Sequence, residues 1–248
     1  MSILAKVSKQ EHVAAATSYA LIVGRSSSGK TTVAGSVPGK TLLLQIRDRE
    51  FGCESAIALA RSLGNEVIPY SISTIQELLD IAIELRTDKD YDNVYVDGWS
   101  AITFMLAESP DIAPMIEGRK GGNSFVGYAR IQTDVAKIQK AYAELTYPDI
   151  IKPKSVFFTL AIDVKTDANG VATDIVPVMK GKASYQEFTR PSPTIVTLAV
   201  QHSEEGERRI MLTKNHGPYL ARINGILDKD NVGIMEPDLS LIMNTLTK

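Results

Sequence analysis

The feature that most constrains this chain is the stretch from Tyr19 to Thr32, which reads YALIVGRSSSGKTT. An apolar, strand-forming run leads directly into the spacing G-x-x-x-x-G-K-T, from Gly24 to Thr31. A strand, a glycine-rich turn and a helix-forming segment in this order predict a loop whose backbone N–H groups surround phosphate oxygens. The alternative, a chance Gly/Ser-rich turn before a helix, does not account for the complete spacing.

Each residue type in this loop has a chemical role. Gly24 and Gly29 allow backbone angles that side chains forbid. Lys30 supplies a mobile positive charge for the outer phosphates, and the Thr31 hydroxyl suits a Mg²⁺ ligand. The N-terminus of the following helix is expected to add partial positive charge. The predicted nucleotide-binding residues are Gly24, Ser26, Ser27, Ser28, Gly29, Lys30, Thr31 and Thr32.

Length and composition limit the class of protein. With 248 residues and a net charge of −2, the chain predicts one large α/β domain and excludes a disordered chain or a globally basic nucleic-acid binder. Cys53 is the single cysteine, so no internal disulfide can form. The sequence has neither an apolar run long enough to span a membrane nor a signal peptide. We therefore expect a protein of the reducing cytoplasm with no membrane partner.

A second informative strand, Asn93 to Asp97, reads NVYVD and ends in a carboxylate. Asp97 can bond a magnesium-bound water or the Thr31 hydroxyl, so Thr31 and Asp97 are the predicted metal-binding residues. An ordinary Asp-Gly turn at Asp97-Gly98 is the alternative. Because at least one strand and helix pair precedes Asp97, its strand neighbours the first strand only after another strand is inserted. That insertion is typical of RecA-like and AAA-like ATPases, whereas small nucleotide kinases also tend to carry an Arg-rich lid that is absent here.

The rest of the pattern predicts an α/β fold with a central, mostly parallel sheet flanked by helices and a C-terminal β-hairpin. A capping box, Thr74-x-x-Glu77, marks the start of one helix. The predicted strands lie at 41–46, 66–70, 155–160, 173–178, 194–201 and 208–213, and further helices lie at 54–63 and 239–246.

Charged residues concentrate in three loops. Asp48, Glu50 and Glu54 follow the carboxyl end of the second strand, where open α/β sheets place ligand-contacting residues. Two Gly-containing loops, at 110–127 and 162–193, are locally basic, and the second also carries aromatic residues that could stack on bases. A solvated surface is the alternative for the second loop. The predicted DNA-binding residues are Arg119, Lys120, Lys165, Lys180, Lys182 and Arg190.

In this order the motifs resemble the RecA-like recombinase core, and most closely the short phage RecA-like proteins proposed to anneal single strands. The resemblance covers about Tyr19 to Gly217. Asp48-Arg49-Glu50 looks like the family's D-x-E segment, which implies that Glu50 activates the attacking water, with Asp48 as the reserve candidate. The two basic loops occupy the places of the family's first and second DNA-binding loops.

Lys214-Asn215-His216 resembles the K-x-K hairpin of bacterial RecA, which reaches across a filament interface to the neighbour's γ-phosphate. The resemblance implies that Lys214 and His216 act catalytically in trans, as Lys30 does within the chain. His216 replaces a lysine and is only partly charged at neutral pH, so this stabilisation is expected to be weaker or pH-sensitive. A surface lysine beside a turn is the alternative.

Two departures from the family shape the expected function. Thr159 stands near the place of an amide sensor, and the large accessory domains of full recombinases are missing. The resemblance therefore implies an ATP- and Mg²⁺-dependent ATPase that binds single-stranded DNA for annealing or a mediator role in a bacterial host cell. It also implies head-to-tail assembly as a filament or ring, and it leaves open a single-strand binding protein as partner. A nucleotide-gated scaffold and a small-molecule kinase are the alternatives. The expected organisation is an N-terminal segment at 1–18, the core at 19–225 and a helical extension at 226–248.

Overall fold

The computed structural model describes residues 18–46, 52–118, 123–168, 172–181, 189, 192–203, 206–223 and 233–243. Short 3₁₀ helices lie at Thr32–Ser36 and Glu144–Thr146. The helices are α1 (Cys53–Leu63), α2 (Ile75–Leu85), α3 (Trp99–Ala107), α4 (Ala113–Ile116), α5 (Ser124–Ala143) and α6 (Ser240–Met243). The strands are β1 (Tyr19–Gly24), β2 (Lys40–Ile46), β3 (Glu66–Ile72), β4 (Asn93–Asp97), β5 (Ser155–Thr166), β6 (Ala172–Pro177), β7 (Thr194–Ser203), β8 (Gly206–Leu212) and β9 (Ile234–Met235).

The nine strands described form one sheet in the order β3-β2-β4-β5-β1-β7-β8-β9, with β6 paired to β5. The six strands from β3 to β7 in this order are parallel, while β8, β9 and β6 are antiparallel additions. The predicted α/β fold with a central, mostly parallel sheet and a C-terminal β-hairpin is confirmed. Strands β7 and β8 form the hairpin. Strand β5 lies between β4 and β1, which is the insertion that the position of Asp97 predicts.

Alternation along the strands divides the core into two apolar clusters, one on each face of the sheet. Leu42 and Leu44 face the cluster to which α2, α3 and α5 contribute, whereas Leu43 faces the opposite cluster. The 3₁₀ helix at Thr32–Ser36 and helix α1 supply apolar residues to that second cluster. We call the second side the loop face, because the phosphate loop leads into this 3₁₀ helix.

The helix after the loop differs from the prediction, since it is a five-residue 3₁₀ helix and not a longer α-helix. Val37 is extended and Pro38 follows it, which ends the helix. Helix α1 also packs closely on this segment: a Cβ on Gly35 would lie 2.3 Å from the Ala56 carbonyl oxygen. A single short turn therefore gives the loop a smaller helix dipole than the sequence suggests.

Other predicted elements differ mainly in their ends. Strand β5 is twice the predicted length, because its last residues pair with β6 beyond the sheet. At the start of α2, Thr74 accepts from the Glu77 N–H at 3.1 Å, and the Glu77 carboxylate accepts from the Ser73 N–H at 2.7 Å. The predicted C-terminal helix is observed over Ser240–Met243, Leu239 lies in the turn before it, and the predicted residues 244–246 are outside the described part. Across the described residues, every helix is too short or too polar to cross a membrane.

Candidate nucleotide-binding site

The phosphate loop uses its glycines in two ways. Ser27 and Gly29 have positive φ angles of 63° and 93°, which turn the backbone back on itself. Gly24 is required for space, because a Cβ there would lie 2.4 Å from the Ser28 hydroxyl oxygen and 2.7 Å from the Leu198 carbonyl oxygen. The Ser28 hydroxyl is buried and has no hydrogen-bond partner among the described residues. The loop is therefore closely packed at its base while its outer side is exposed.

The Lys30 side chain folds back over the loop. Its Nζ donates to the carbonyl oxygens of Gly24 at 3.0 Å and Arg25 at 2.8 Å. The Lys30 carbonyl oxygen in turn accepts a hydrogen bond from the Tyr95 hydroxyl of β4. Neutral carbonyl groups are weaker partners for an ammonium group than phosphate oxygens. The loop thus holds the Lys30 ammonium at the place where a phosphate could replace these contacts.

Asp97 joins three elements at the carboxyl ends of the strands. The Thr31 hydroxyl donates to Asp97 Oδ2 at 2.6 Å, and the Thr159 hydroxyl of β5 donates to Asp97 Oδ1 at 2.7 Å. Thr159 also accepts from the Gly98 N–H at 2.8 Å. Gly98 does adopt a left-handed turn, with φ of 99°, but the Asp97 carboxylate points towards the loop. Both oxygens of this buried carboxylate are therefore directed at hydroxyl groups.

These donors fit Mg²⁺ as judged by their chemistry. The Thr31 hydroxyl and the Asp97 carboxylate are hard oxygen ligands, and the two side chains already touch. In the described ranges, no group of three or more acidic, histidine or cysteine side chains forms a complete metal cage. An ion held here would take its other ligands from phosphate oxygens and water, as is usual for Mg²⁺.

Comparison with known families agrees with this geometry. The family model for the AAA domain matches residues 17–223, which is most of the chain. The chain belongs to the AAA domain family. A search of curated proteins found no match. The match supports a P-loop AAA-type ATPase core, while closeness to the phage RecA-like proteins and the boundaries at residues 18 and 225 stay predictions.

Tyr95 is a residue of the AAA domain that sequence reasoning missed. Its ring is buried and stacks on Phe157 with ring centroids 5.9 Å apart. Burial, with a further contribution from the charge of Asp97, raises the pKa of Tyr95 well above its ordinary value. The hydroxyl is therefore a permanent hydrogen-bond donor to the Lys30 carbonyl oxygen at neutral pH. The alternation in NVYVD, which places Tyr95 and Asp97 on one face, is the signal that could have identified it.

Gln45 is a second residue that was missed. It pairs in register with Asp97 across β2 and β4, and both side chains lie on the loop face. Gln45 is only 6% exposed, and its amide nitrogen has no hydrogen-bond partner among the described residues. A glutamine inside the apolar run TLLLQI was the available signal.

The predicted acidic residues of the AAA domain are mostly outside the described part. Glu50, the expected water-activating residue, and Asp48 both lie in the segment 47–51, which the structure does not describe. Glu54 is described, and it lies exposed in the first turn of α1. The catalytic role of Glu50 therefore stays a prediction.

Two of the six predicted DNA-binding residues are described. Lys165 lies on the extension of β5 and pairs with Asp174 of β6 at 3.4 Å, with both side chains largely exposed. Lys180 is half-buried, and its Nζ lies 5.2 Å from the centroid of the Phe104 ring. The Lys180 ammonium group thus interacts with an aromatic ring of its own chain. The other four, Arg119, Lys120, Lys182 and Arg190, are outside the described residues.

Lys214 and His216 are exposed and follow the end of β8. Leu212 pairs with Thr197, and Gly24 pairs with Leu198, so β8 has already returned below the level of the phosphate loop. His216 forms a backbone bridge with Tyr219. Beyond β8 the chain turns back, since the Thr197 hydroxyl donates to the Leu220 carbonyl oxygen and Tyr219 lines the cleft beside the phosphate loop. The course of β8 therefore does not by itself separate Lys214 and His216 from the loop of their own chain.

Proposed function

We propose that this AAA domain binds and hydrolyses ATP with Mg²⁺ and holds single-stranded DNA for annealing, as a head-to-tail oligomer. The observation that carries the nucleotide part is the contact between Thr31 and Asp97, at 2.6 Å beneath a complete phosphate loop. The family match supports the same chemistry. The DNA and assembly parts are finer proposals with their own support and tests.

In the proposed reaction the chain positions the phosphates and their charge. Lys30 exchanges its carbonyl contacts for phosphate oxygens, and the loop N–H groups hold the β-phosphate. Thr31 and Asp97 orient the Mg²⁺ site, where the ion when bound neutralises charge on the phosphates. Glu50 accepts a proton from the attacking water, and Thr159 keeps the Asp97 carboxylate in place.

The start of α5 supports the DNA proposal. Phe125 is 78% exposed and Val126 is 49% exposed, although both are large apolar residues. They follow closely in sequence on the basic pair Arg119-Lys120. Exposed aromatic rings next to basic residues are suited to stacking on bases while phosphates are neutralised.

Assembly is supported by the exposure of Lys214 and His216. Side chains exposed at this position are accessible to the γ-phosphate held by a second copy of the chain. Such a contact adds positive charge where phosphoryl transfer develops negative charge. We expect ATP turnover per chain to rise with protein concentration and with DNA, and equally fast turnover in strictly monomeric solution would contradict the trans contact.

The experiment that tests the whole proposal is electron microscopy with single-stranded DNA, Mg²⁺ and a non-hydrolysable ATP analogue. We expect ordered filaments or rings only when all three are present. Assemblies that form without DNA would favour a nucleotide-gated scaffold. Glu50→Gln separates these cases further: an enzyme loses turnover but keeps ATP affinity, whereas a scaffold is unchanged.

The DNA contacts can be tested by replacing Arg119, Lys120, Lys180 and Lys182 together with alanine. We expect single-strand affinity to fall steeply, and the salt dependence of binding to weaken, because phosphate contacts are lost. ATP affinity should stay unchanged in the same variant. Unchanged single-strand binding would remove both loops from the proposal.

A further inference from the structure

Arg209 of β8 lies directly over the phosphate loop of its own chain. A Cβ placed on Gly29 would lie 3.3 Å from Arg209 Cδ, 3.6 Å from its Nε and 3.7 Å from Nη1. Strand pairing explains this reach. Arg209 pairs with Val200 of β7, two residues beyond Leu198, which is level with Gly24. The Arg209 side chain therefore starts at the carboxyl edge of the parallel strands, slightly beyond the level at which the phosphate loop begins.

Alternation along β8 directs Arg209 towards the loop face. Met211, two residues away, packs in the apolar cluster of that face, whereas Ile210 belongs to a different cluster. Its neighbour Arg208 is different, because it pairs with Glu236 at 2.7 Å. Among the described residues, no carboxylate forms an ion pair with Arg209. Two adjacent arginines thus have different surroundings, and only Arg209 covers the loop.

A cleft of about 850 Å³ opens beside the loop and has Arg209 in its wall. It runs between the loop residues Ser26 to Gly29 and the strands β7 and β8. Its wall contains three arginines and two carboxylates, Arg25, Arg208, Arg209, Glu207 and Glu236. Because Arg208 is paired with Glu236, Arg25, Arg209 and the loop N–H groups are the donors that suit the loop side of the cleft to an anion.

The order of the strands indicates which part of a bound nucleotide faces this cleft. Asp97 and Thr159 lie on β4 and β5, on one side of β1, whereas Arg209 lies on β8, on the other side. The Mg²⁺ and γ-phosphate end of a nucleotide is expected next to Asp97. The opposite end of the phosphate chain, with the nucleoside beyond it, therefore points towards the cleft.

We propose that Arg209 binds the α- and β-phosphates of the nucleotide held by its own chain. This inference rests on the proposed nucleotide binding and goes beyond it, because it assigns a phosphate contact within the chain that is independent of assembly. ATP and ADP share the α- and β-phosphates. Arg209 therefore contributes to the affinity for both nucleotides.

The test compares Arg209→Ala with Arg208→Ala at concentrations where the protein is monomeric. Equilibrium titration should show the dissociation constants of ATP and ADP rising by the same factor, about tenfold or more, in Arg209→Ala. The Arg208→Ala control should change both by less than about twofold, because that side chain binds Glu236 at the surface. Arg209→Lys should recover part of the lost affinity, since it restores the charge but not the two-pronged geometry.

The inference is overturned if the affinities do not change, if only ATP loses affinity, or if binding tightens because Arg209 merely blocks the loop. Lys30→Ala distinguishes these results from failure of the proposed function. If that variant keeps full ATP affinity, nucleotide binding at this loop is itself wrong.

Discussion

The two ends of the β2–β4 strand pair treat buried polar groups differently. At the amino-terminal end, the Asn93 amide donates to the Pro38 carbonyl oxygen at 2.8 Å and to the Thr41 hydroxyl at 3.2 Å. At the carboxyl end, the Gln45 amide nitrogen is buried without a partner among the described residues. The contrast belongs to this pair and not to the whole sheet, because the Ser18 hydroxyl just before β1 is also buried without such a partner. A buried polar group without a partner reduces stability, so the carboxyl end of this pair is the more costly one to build.

The contrast lies within a single pair of strands. Thr41 pairs with Asn93 at one end of β2 and β4, and Gln45 pairs with Asp97 at the other end. All four positions lie on the loop face, so sheet packing alone does not separate them. The difference is that the amino-terminal end of this pair satisfies its polar groups internally, whereas the carboxyl end holds a polar atom that a ligand can satisfy.

The largest expected effect is at the carboxyl edge. Asp97→Asn should lower ATP turnover by about a thousandfold, because it removes the negative charge that orients the Mg²⁺ site and one hydroxyl acceptor. Steady-state ATPase assays with a thermal melt check this result. Asp92→Asn is the control at the other edge, and it should keep full turnover. Equal losses in the two variants would show that the edges do not differ in function.

The next effect is at the amino-terminal edge. The Lys154 side chain is fully buried, pairs with Asp88 at 3.1 Å and donates to the carbonyl oxygens of Asp88, Tyr91 and Lys152. Lys154→Ala should reduce the free energy of unfolding by about 3 kcal/mol, because a carboxylate and three carbonyl groups lose their partner. Urea denaturation measures this change. ATP affinity of the folded variant should stay the same, and a large loss of affinity would contradict the separation of the edges.

A matched pair of substitutions tests the contrast directly. Gln45→Leu should raise the free energy of unfolding by about 1 kcal/mol, because an unpaired buried amide is removed. Asn93→Leu should lower it by about 2 kcal/mol, because a satisfied amide is lost and the Pro38 carbonyl oxygen loses its donor. Urea denaturation of both variants decides the sign. Destabilisation by Gln45→Leu would show that this amide has a partner within the chain.

The smallest expected effect is on the stability of the fold at low pH. Burial raises the pKa of Asp92, but hydrogen bonds from Lys152 and from the Lys40 N–H outweigh burial and hold the pKa below its usual range. The pKa of Asp88 is lowered in the same way by the Tyr91 N–H and Lys154. A depressed pKa contributes stability that is present above the unfolded pKa of about 4 and is lost as the pH falls through the folded pKa.

Stability measured between pH 7 and pH 3 should therefore fall mainly below about pH 4, and it should fall less in Asp92→Asn than in the original chain. The contribution of this partly exposed pair is expected to be under about 1 kcal/mol. An identical pH dependence in the variant would show that Asp92 does not stabilise the amino-terminal edge.

The parts of the fold that local patterns specify were predictable. The apolar run before Gly24 and the run ending at Asp97 predict two buried parallel strands, and their separation along the chain predicts the inserted strand β5. The predicted length of the helix after the loop was wrong. Pro38 and the close contact of Gly35 with α1 limit this helix to a short 3₁₀ segment. A propensity pattern does not contain that tertiary contact.

The site was predictable only where a motif marks it. The loop residues and Asp97 could be assigned because their spacing has a known chemical purpose. Arg209 lies in a charged run, EEGERR, that reads as a surface hairpin, and Gln45 reads as one polar residue in an apolar strand. The local sequence does not indicate on which face of the sheet these side chains lie or which residues they contact.

By itself, the sequence determined that this chain builds a phosphate loop on a parallel sheet and places a carboxylate on a second strand, separated from the first by one inserted strand. Short-range spacing and strand periodicity are sufficient for that, since they depend on backbone geometry alone. Only the tertiary structure decided that Asp97 touches Thr31 and that Arg209 covers Gly29. These contacts depend on the strand order and register, which are determined by packing between residues that are far apart in the chain.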